Sequence, residues 1–520
     1  MKKILILITA IIVASCSNNL ENLNQNIKDP ALVPGESLFT GAQKSLVDQM
    51  VVQNVNRNNT KLWAQYWQEV TYTDESNYDQ TSRPIPGTHW SVLYKDVLKD
   101  LDEAKNIIAE TSSATDPDYE ANKPNKLAII EILNIYTYSI LVETFGNIPY
   151  TESLDINNLT PKYDDGETIY KDLIDRLTTS INNLDVSKGS FGSADRIYNG
   201  DVTKWKKFAA SLKLRMGILL SDVDNSFAKT AVESAVTSGV FESNDDNANY
   251  QYMSAAPNTN PIYDNLVLSG RHDYVAATTI IETMQPRQYE YLTDTNDDGV
   301  INNEDDRTVI PGSVTYTDPR MKYYFASNVD ADPSIPQVVY LGLEIGKDGS
   351  FSKHTQISSL IQQPTFPGKL LDYAEVQFLL AEAAARNFNV GDTAENFYKS
   401  GVTASIEDWG GSASDATTYL ALPTIDYTTA LAASTATIPW KEVIGTQKWI
   451  ALFNRGFEAW TSIRLLDYPK MQAAFDPLSG YPTRYTYPVV EQTLNGTNWE
   501  AASSAIGGDE PETKLFWDMY

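Results

Sequence analysis

The chain of 520 residues contains a single cysteine and only three histidines, His89, His272 and His354. One cysteine excludes an intrachain disulfide and any cysteine-based zinc centre, and so few imidazoles leave little room for histidine-rich metal chemistry. Basic residues are scarce as well. With 40 Lys and Arg against 68 Asp and Glu the formal net charge is −28, so no basic face is available to neutralise phosphates, which argues against a nucleic-acid partner. Uncharged polymers such as glycans are not excluded. After the N-terminus, no apolar run is expected to reach the length that spans a bilayer. What is present suffices for a packed core: 42% of residues are hydrophobic and 21% charged, a globular rather than a disordered composition. The length accommodates several domains or one large composite domain.

The lone cysteine stands in an informative place. Met1, Lys2 and Lys3 precede apolar residues 4–14, and Ala14 and Ser15 lead into Cys16. Two lysines, a short apolar core and small residues before the cleavage point make a secretory signal rather than a membrane span. Cys16 falls where a bacterial lipoprotein box places the lipidated residue; the alternative is an incidental cysteine ending an ordinary signal peptide. On the lipoprotein reading, residues 1–15 are the signal peptide and residues 16–36, Asn-rich with Pro30 and Pro34, are a lipid-anchored tether. Residues 37–520 form a single domain that meets the membrane only through that anchor.

From Ser37 onward the pattern is mostly helical. Leu127, Ile130, Ile135, Tyr138, Leu141 and Phe145 recur at helical spacing before Gly146 and Pro149, and residues 168–184 repeat the pattern. Residues 203–220 and 227–236 read as a helical pair, as do 371–386 and 394–409. The expected fold is mostly α, with tetratricopeptide-like helical hairpins that bury their faces only when stacked. Long irregular insertions interrupt them. Residues 240–368, rich in Asn, Asp, Pro and Tyr, read as loops and short strands, and residues 410–438, with runs of Ser, Ala and Thr, read as a second loop.

Inside the first insertion lies the sharpest local motif, DTNDDGVINNED at residues 294–305. A seven-coordinate hard cation needs oxygen ligands at loop positions 1, 3 and 5, glycine at 6, a backbone carbonyl at 7 and a carboxylate at 12. Asp294, Asn296, Asp298, Gly299, Val300 and Asp305 occupy those places, so a structural Ca²⁺ is expected there. The alternative is an acidic, turn-rich loop that binds nothing.

Further segments together resemble one family. They are WSVLY at 90–94, ETFGNIPY at 143–150, PKYD at 161–164 with Ile169 and Tyr170, YNGD at 198–201 and WKKFA at 205–209 with Leu214 and Arg215. DPR follows at 318–320, YAEVQFLLAEA at 373–383, and FEAW at 457–460 with Arg464, Tyr468 and Pro469. In order and spacing they resemble the SusD/RagB-like nutrient-binding lipoproteins of Bacteroidetes, of the second SusD-like group, nearly from end to end. Two positions depart from the usual pattern: Ala210 stands where Asn is common, and Ile463 precedes Arg464 where an arginine pair is frequent.

The resemblance implies a SusD-like α-α superhelix, lipid-anchored on the outer face of the outer membrane. Such a protein captures a nutrient, usually an oligosaccharide, and passes it without chemical change to a SusC-like TonB-dependent transporter. Trp205 and Trp460 are expected as core anchors, and Glu375 and Glu382 as packing or capping groups rather than a catalytic pair. A sugar site needs flat aromatic faces beside amides, carboxylates or arginine. The family places part of its ligand site early in the chain and more in the central insertions. Tyr72, Asp74, Asn77, Tyr78, Asp79 and Arg83 are therefore early candidates, and Arg271, Asp273, Tyr274, Gln362, Gln363 and Phe366 later ones. A calcium-stabilised adhesin or structural protein is the alternative function. A secreted glycoside hydrolase is less favoured, because the chain has no nucleophile elbow, zinc helix or histidine triad.

Overall fold

The computed structural model describes residues 33–112, 118–291, 307–309, 313–327 and 340–520. Cys16 and residues 294–305 lie outside them.

The six helices expected from periodicity form, the first of them starting earlier, at Tyr119, and others join them. In chain order the helices are α1 (Gly35–Val51), α2 (Lys99–Glu110), α3 (Tyr119–Phe145), α4 (Gly166–Asn183), α5 (Val202–Leu219) and α6 (Asn225–Ser238). After the central insertion come α7 (Tyr373–Ala385), α8 (Ala394–Asp408), α9 (Ala413–Leu420), α10 (Pro439–Ala451), α11 (Gly456–Leu466) and α12 (Gly496–Ala505). Aspartates start many of them. Asp165, Asp201, Asp224 and Asp372 each accept a backbone N–H from the first turn of α4, α5, α6 and α7, an N-cap worth about 1 kcal/mol. Consecutive helices pack as pairs, α3 on α4, α5 on α6, α7 on α8 and α10 on α11, while α7 also reaches α5 and α10. Small residues set the close approaches. A side chain at Gly217 of α5 would begin 2.9 Å from the Val232 side chain of α6, so alanine there would force the two helices or Val232 to shift.

Residues 410–438 correct the expectation of a loop, since α9 and a short helix at Tyr427–Ala433 fill much of the stretch. Ser412 and Asp415 form a complete capping box at the start of α9, which satisfies two N–H groups and offsets the low helix propensity of its threonines. The expectation that no later segment reaches membrane-spanning length is also corrected. Helix α3 is long and apolar enough by composition, but 83% of its most apolar window is buried within the protein, as in a core helix.

The strands are short and pair two by two. β1 (Trp67–Glu69) runs antiparallel to β5 (Tyr274–Ala276), β2 (Ile148–Pro149) to β3 (Tyr163–Asp164), β4 (Asn249–Tyr250) to β8 (Gly368–Lys369), and β6 (Tyr289–Tyr291) to β7 (Arg307–Val309). β1–β5 ties the central insertion to the early chain, and β4–β8 brings the two ends of the insertion together.

Trp205 and Trp460 are fully buried, as expected of core anchors. Glu382 is bound to Lys448 of α10 at 2.6 Å. Glu375 enters an ionic knot around Arg455, which stands 2.7 Å from Glu375, 3.2 Å from Asp372 and 3.5 Å from Glu458. Arg215 of α5 lies 3.8 Å from both Glu375 and Glu458, and the Tyr136 hydroxyl of α3 donates to Glu458 at 3.1 Å. The two glutamates of the YAEVQFLLAEA segment therefore join helices. Because the five charged members of the knot are each nine-tenths or more buried, or nearly so, every charge depends on the others for compensation.

Candidate ligand-binding surface

The β1–β5 ladder brings two distant candidate segments together. Trp67, Gln68 and Glu69 pair with Ala276, Val275 and Tyr274, and the Val70 N–H continues the ladder to the Asp273 carbonyl at 3.0 Å. The chain leaving β1 thus emerges beside the chain entering β5. There Tyr72 is 75% exposed and held at φ 55, a left-handed conformation unusual for an aromatic residue. Asp74, two residues on, is exposed, as is Arg271, two residues before the Asp273 that meets Val70, and Arg271 pairs with half-buried Asp273 at 2.7 Å.

Asn77 holds the surface in place. Its Nδ2 donates to the carbonyls of Thr73 at 3.0 Å and Gly346 at 2.8 Å, while its Oδ1 accepts the Asp476 N–H at 2.9 Å. Its carbonyl accepts the Leu478 N–H at 2.8 Å. One buried amide therefore ties together loops near residues 73, 346 and 476. Gly346 is required at this junction: it has φ +78, and a Cβ on it would fall 2.1 Å from the Asn77 oxygen. The C-terminal loop presents Phe475, 59% exposed, and Leu478, 64% exposed. Lys347 places its ammonium 5.7 Å from the Phe475 ring.

Some candidates are corrected by burial, while Arg83, Gln362, Gln363 and Phe366 keep accessible surface alongside their partners. Asn77, Tyr78 and Tyr274 are each about 95% buried, so they cannot offer a face to a ligand in this arrangement. Tyr78 packs edge-on against Tyr481 at 5.8 Å, and Tyr274 lies 5.9 Å from Trp67. Asp79 is a turn former whose Oδ1 accepts the Thr81 N–H at 2.7 Å. Arg83 is bound to Glu75. Gln362 and Gln363 donate to the carbonyls of Ile357 and Ser359 at 2.8 and 2.9 Å. The Phe366 ring lies 5.9 Å from Trp409, and its carbonyl is held by Asn260. Tyr72, Asp74, Arg271 and Asp273 remain together at the end of the β1–β5 ribbon. Phe475, Leu478 and Lys347 were not found from sequence, because the only signal for them is the pairing through Asn77.

Two carboxyls lie beneath this surface. Burial pushes Glu69 well above its ordinary value, and neighbouring Glu75 raises it further. Burial also raises Glu75, while Arg83 opposes the shift. Glu69 accepts both the N–H and the hydroxyl of Ser76, at 3.0 and 2.8 Å. A carboxyl whose folded value exceeds the unfolded 4.5 contributes stability below that pH and loses it as pH rises through the elevated value. The melting temperature is therefore expected to fall over that range. Glu69→Gln keeps an acceptor for Ser76 and should flatten the fall, which melting curves at a series of pH values will measure; an unchanged slope would assign the dependence elsewhere.

Residues 294–305 lie outside the described residues, and the strands flanking them are known. Tyr289, Glu290 and Tyr291 pair with Val309, Thr308 and Arg307, so the two ends of the segment are joined by an antiparallel ladder.

The family model described as "Starch-binding associating with outer membrane", the second SusD-like group, matches residues 26–306 and 306–488. No match was found among proteins of curated function. Among solved structures, a chitin-binding protein is similar, with 26% identity and TM-score 0.73 over 94% of this chain and 100% of that one. A SusD homologue from Bacteroides uniformis has 26% identity and TM-score 0.71 over 93% and 99%. A chitin-binding SusD homologue from Flavobacterium johnsoniae, at 24% identity and TM-score 0.69 over 93% and 97%, shares the fold. With the family match running through nearly the whole described body and the helical architecture in agreement, the chain belongs to the SusD-like family.

Proposed function

We propose that this protein is a cell-surface lipoprotein that captures an oligosaccharide without converting it and delivers it to a SusC-like TonB-dependent transporter of the outer membrane. The observation that carries the capture step is Tyr72, an aromatic residue kept 75% exposed in a left-handed backbone conformation. Strain of this kind persists only where the surrounding fold imposes it, and here the fold turns the residue outward, beside a carboxylate and an arginine able to meet sugar hydroxyls. The family's outer-membrane association and a chitin-binding relative at 26% identity support a carbohydrate ligand. Oligomers of N-acetylglucosamine are the first probes to use. The anchor would be Cys16, the only cysteine in the chain.

An open surface leaves a bound sugar partly hydrated, so affinity for the isolated protein should be weak, and closure against the transporter would supply the second wall. Calorimetric titration with chitohexaose and maltohexaose tests the capture step. Tyr72→Ala with Phe475→Ala should weaken binding about tenfold, the loss of roughly 1.4 kcal/mol of contact. Their exposure predicts a melting temperature close to that of the parent. In cells, Cys16→Ala should free the protein from the membrane fraction without changing binding by the purified protein. Cleavage of either sugar by the purified protein, or unaltered affinity in the double variant, would refute the reading.

A further inference from the structure

A second set of aromatic and polar groups lies on helices α2, α3 and α4, on the helical residues 85–98 before them and on the turn at residues 150–154, and none of them belongs to the loops joined by Asn77. A cleft of about 490 Å³ is lined by Tyr138, Tyr150, Asn134, Asp172 and Arg176. Through Lys105, Glu131 and Arg176 it continues into a cleft of about 680 Å³. Through Ser153 and Leu154 it opens at the other end into a cup of about 360 Å³ lined by Trp90 and Tyr94. The three form one groove.

Its aromatic residues run in series. Trp90 is 4.8 Å from Tyr94, Tyr94 is 6.3 Å from Tyr138, and Tyr138 is 4.9 Å from Tyr150. Trp90, Tyr94 and Tyr150 are only half-buried, so part of each ring faces solvent. Leu154, where cleft and cup meet, sits at φ 64, a costly conformation for a leucine. At the cup, Leu159 and Leu494 are 82% and 68% exposed, far more than a closed surface would leave.

The polar groups indicate what kind of ligand fits. Arg176 donates to Glu131 at 2.8 Å, to the Asn134 oxygen at 3.0 Å and to the Tyr150 hydroxyl, which in turn donates to Asp172. Lys105 pairs with Glu131 at 3.2 Å. Over all three parts the groove is lined by five basic and six acidic side chains, too small an excess to select a strongly charged peptide, although the central cleft itself is acidic. Among the described residues, the Asn134 amide nitrogen and the second Asp172 oxygen have no protein partner, one a donor and the other an acceptor. Half-exposed Trp90, Tyr94 and Tyr150, linked through buried Tyr138, stand beside an amide donor and a carboxylate acceptor, a set that matches the alternating apolar faces and hydroxyls of a linear sugar chain.

We propose that the groove between Trp90 and Arg176 is a second saccharide site, which takes an uncharged linear oligosaccharide of the same class as the Tyr72 surface binds. The inference rests on the saccharide reading above, and a site of this kind would raise retention of long chains through effective concentration. The test uses the full mature chain and a chitohexaose carrying a diazirine, with crosslinks mapped by mass spectrometry and a maltohexaose probe in parallel. Crosslinks are expected both near residues 72 and 475 and in residues 150–159 and α4. Tyr150→Ala with Asp172→Asn should lower groove labelling about tenfold, as expected for losing one good contact, and leave labelling near Tyr72 intact. Leu159→Arg, at a highly exposed position, provides a second block that does not disturb the core. Crosslinks confined to the Tyr72 surface would overturn the second site and leave the capture reading standing. Crosslinks in neither place would overturn both, and crosslinks in the groove alone would support the groove and refute the Tyr72 surface.

Discussion

Arg455→Met is expected to lower the stability of the fold by about 3–5 kcal/mol, the range found when one partner is removed from a buried ion pair. Arg455 is 6% exposed and within 3.5 Å of three carboxylates. Without it, Asp372, Glu375 and Glu458 keep as cationic partner only Arg215, which stands 3.8 Å from two of them. Like charges left in a low-dielectric interior repel and cannot recruit water at no cost. The matched control is Lys399→Met, which breaks the exposed pair of Lys399 with Glu395 and should cost less than about 1 kcal/mol. Urea unfolding of both variants decides the matter. Adding Glu375→Gln to Arg455→Met should recover part of the loss, since the two residues share one network. Equal effects for Arg455→Met and Lys399→Met would mean that the knot contributes no more than a surface pair.

The second large effect concerns calcium. If residues 294–305 hold one Ca²⁺ through Asp294, Asn296, Asp298, Asp305 and the Val300 carbonyl, calcium binds the native chain and stabilises it by mass action. At free calcium about 100 times the dissociation constant this amounts to about 2.7 kcal/mol. Chelation should therefore lower the melting temperature, and Asp298→Ala should erase the difference between calcium and chelator. The ladder between Tyr289–Tyr291 and Arg307–Val309 makes the loop ends a natural place for that stabilisation to be felt. Superimposable melting curves together with no calcium by elemental analysis would reduce the motif to an acidic loop.

The helical scaffold is legible in the sequence because periodic apolar residues report directly on a buried face, as in α3, α4 and α7. The second insertion was less so. Its Ser, Ala and Thr composition suggests a loop, while the information that mattered was the spacing of Ser412 and Asp415, a cap three residues apart. The ligand surface was only half legible. Tyr72 and Tyr78 share one short segment, yet one is 75% exposed and the other 4%, and no local pattern separates them because both have positive φ and follow polar neighbours. Phe475 lies about 400 positions from Asn77 and enters the surface through contacts far apart in sequence, the Asp476 N–H on Asn77 and its own N–H on the Ile345 carbonyl.

That hydrogen bond joins residues 399 positions apart, and it has company. Gln65 donates to the Gln472 carbonyl at 2.7 Å, Trp449 to the Ala64 carbonyl at 2.9 Å and Tyr481 to the Trp63 carbonyl at 2.8 Å. Contacts of such long range are late to form, because the closure entropy of the intervening chain must be overcome first. While the polypeptide is still being synthesised or threaded across a membrane, residues 63–77 can pair with β5 but lack every partner beyond residue 448. The surface around Tyr72 is therefore complete only with the last tenth of the chain, and a truncated product ending before residue 470 would have the β1–β5 ladder without Phe475 and Leu478.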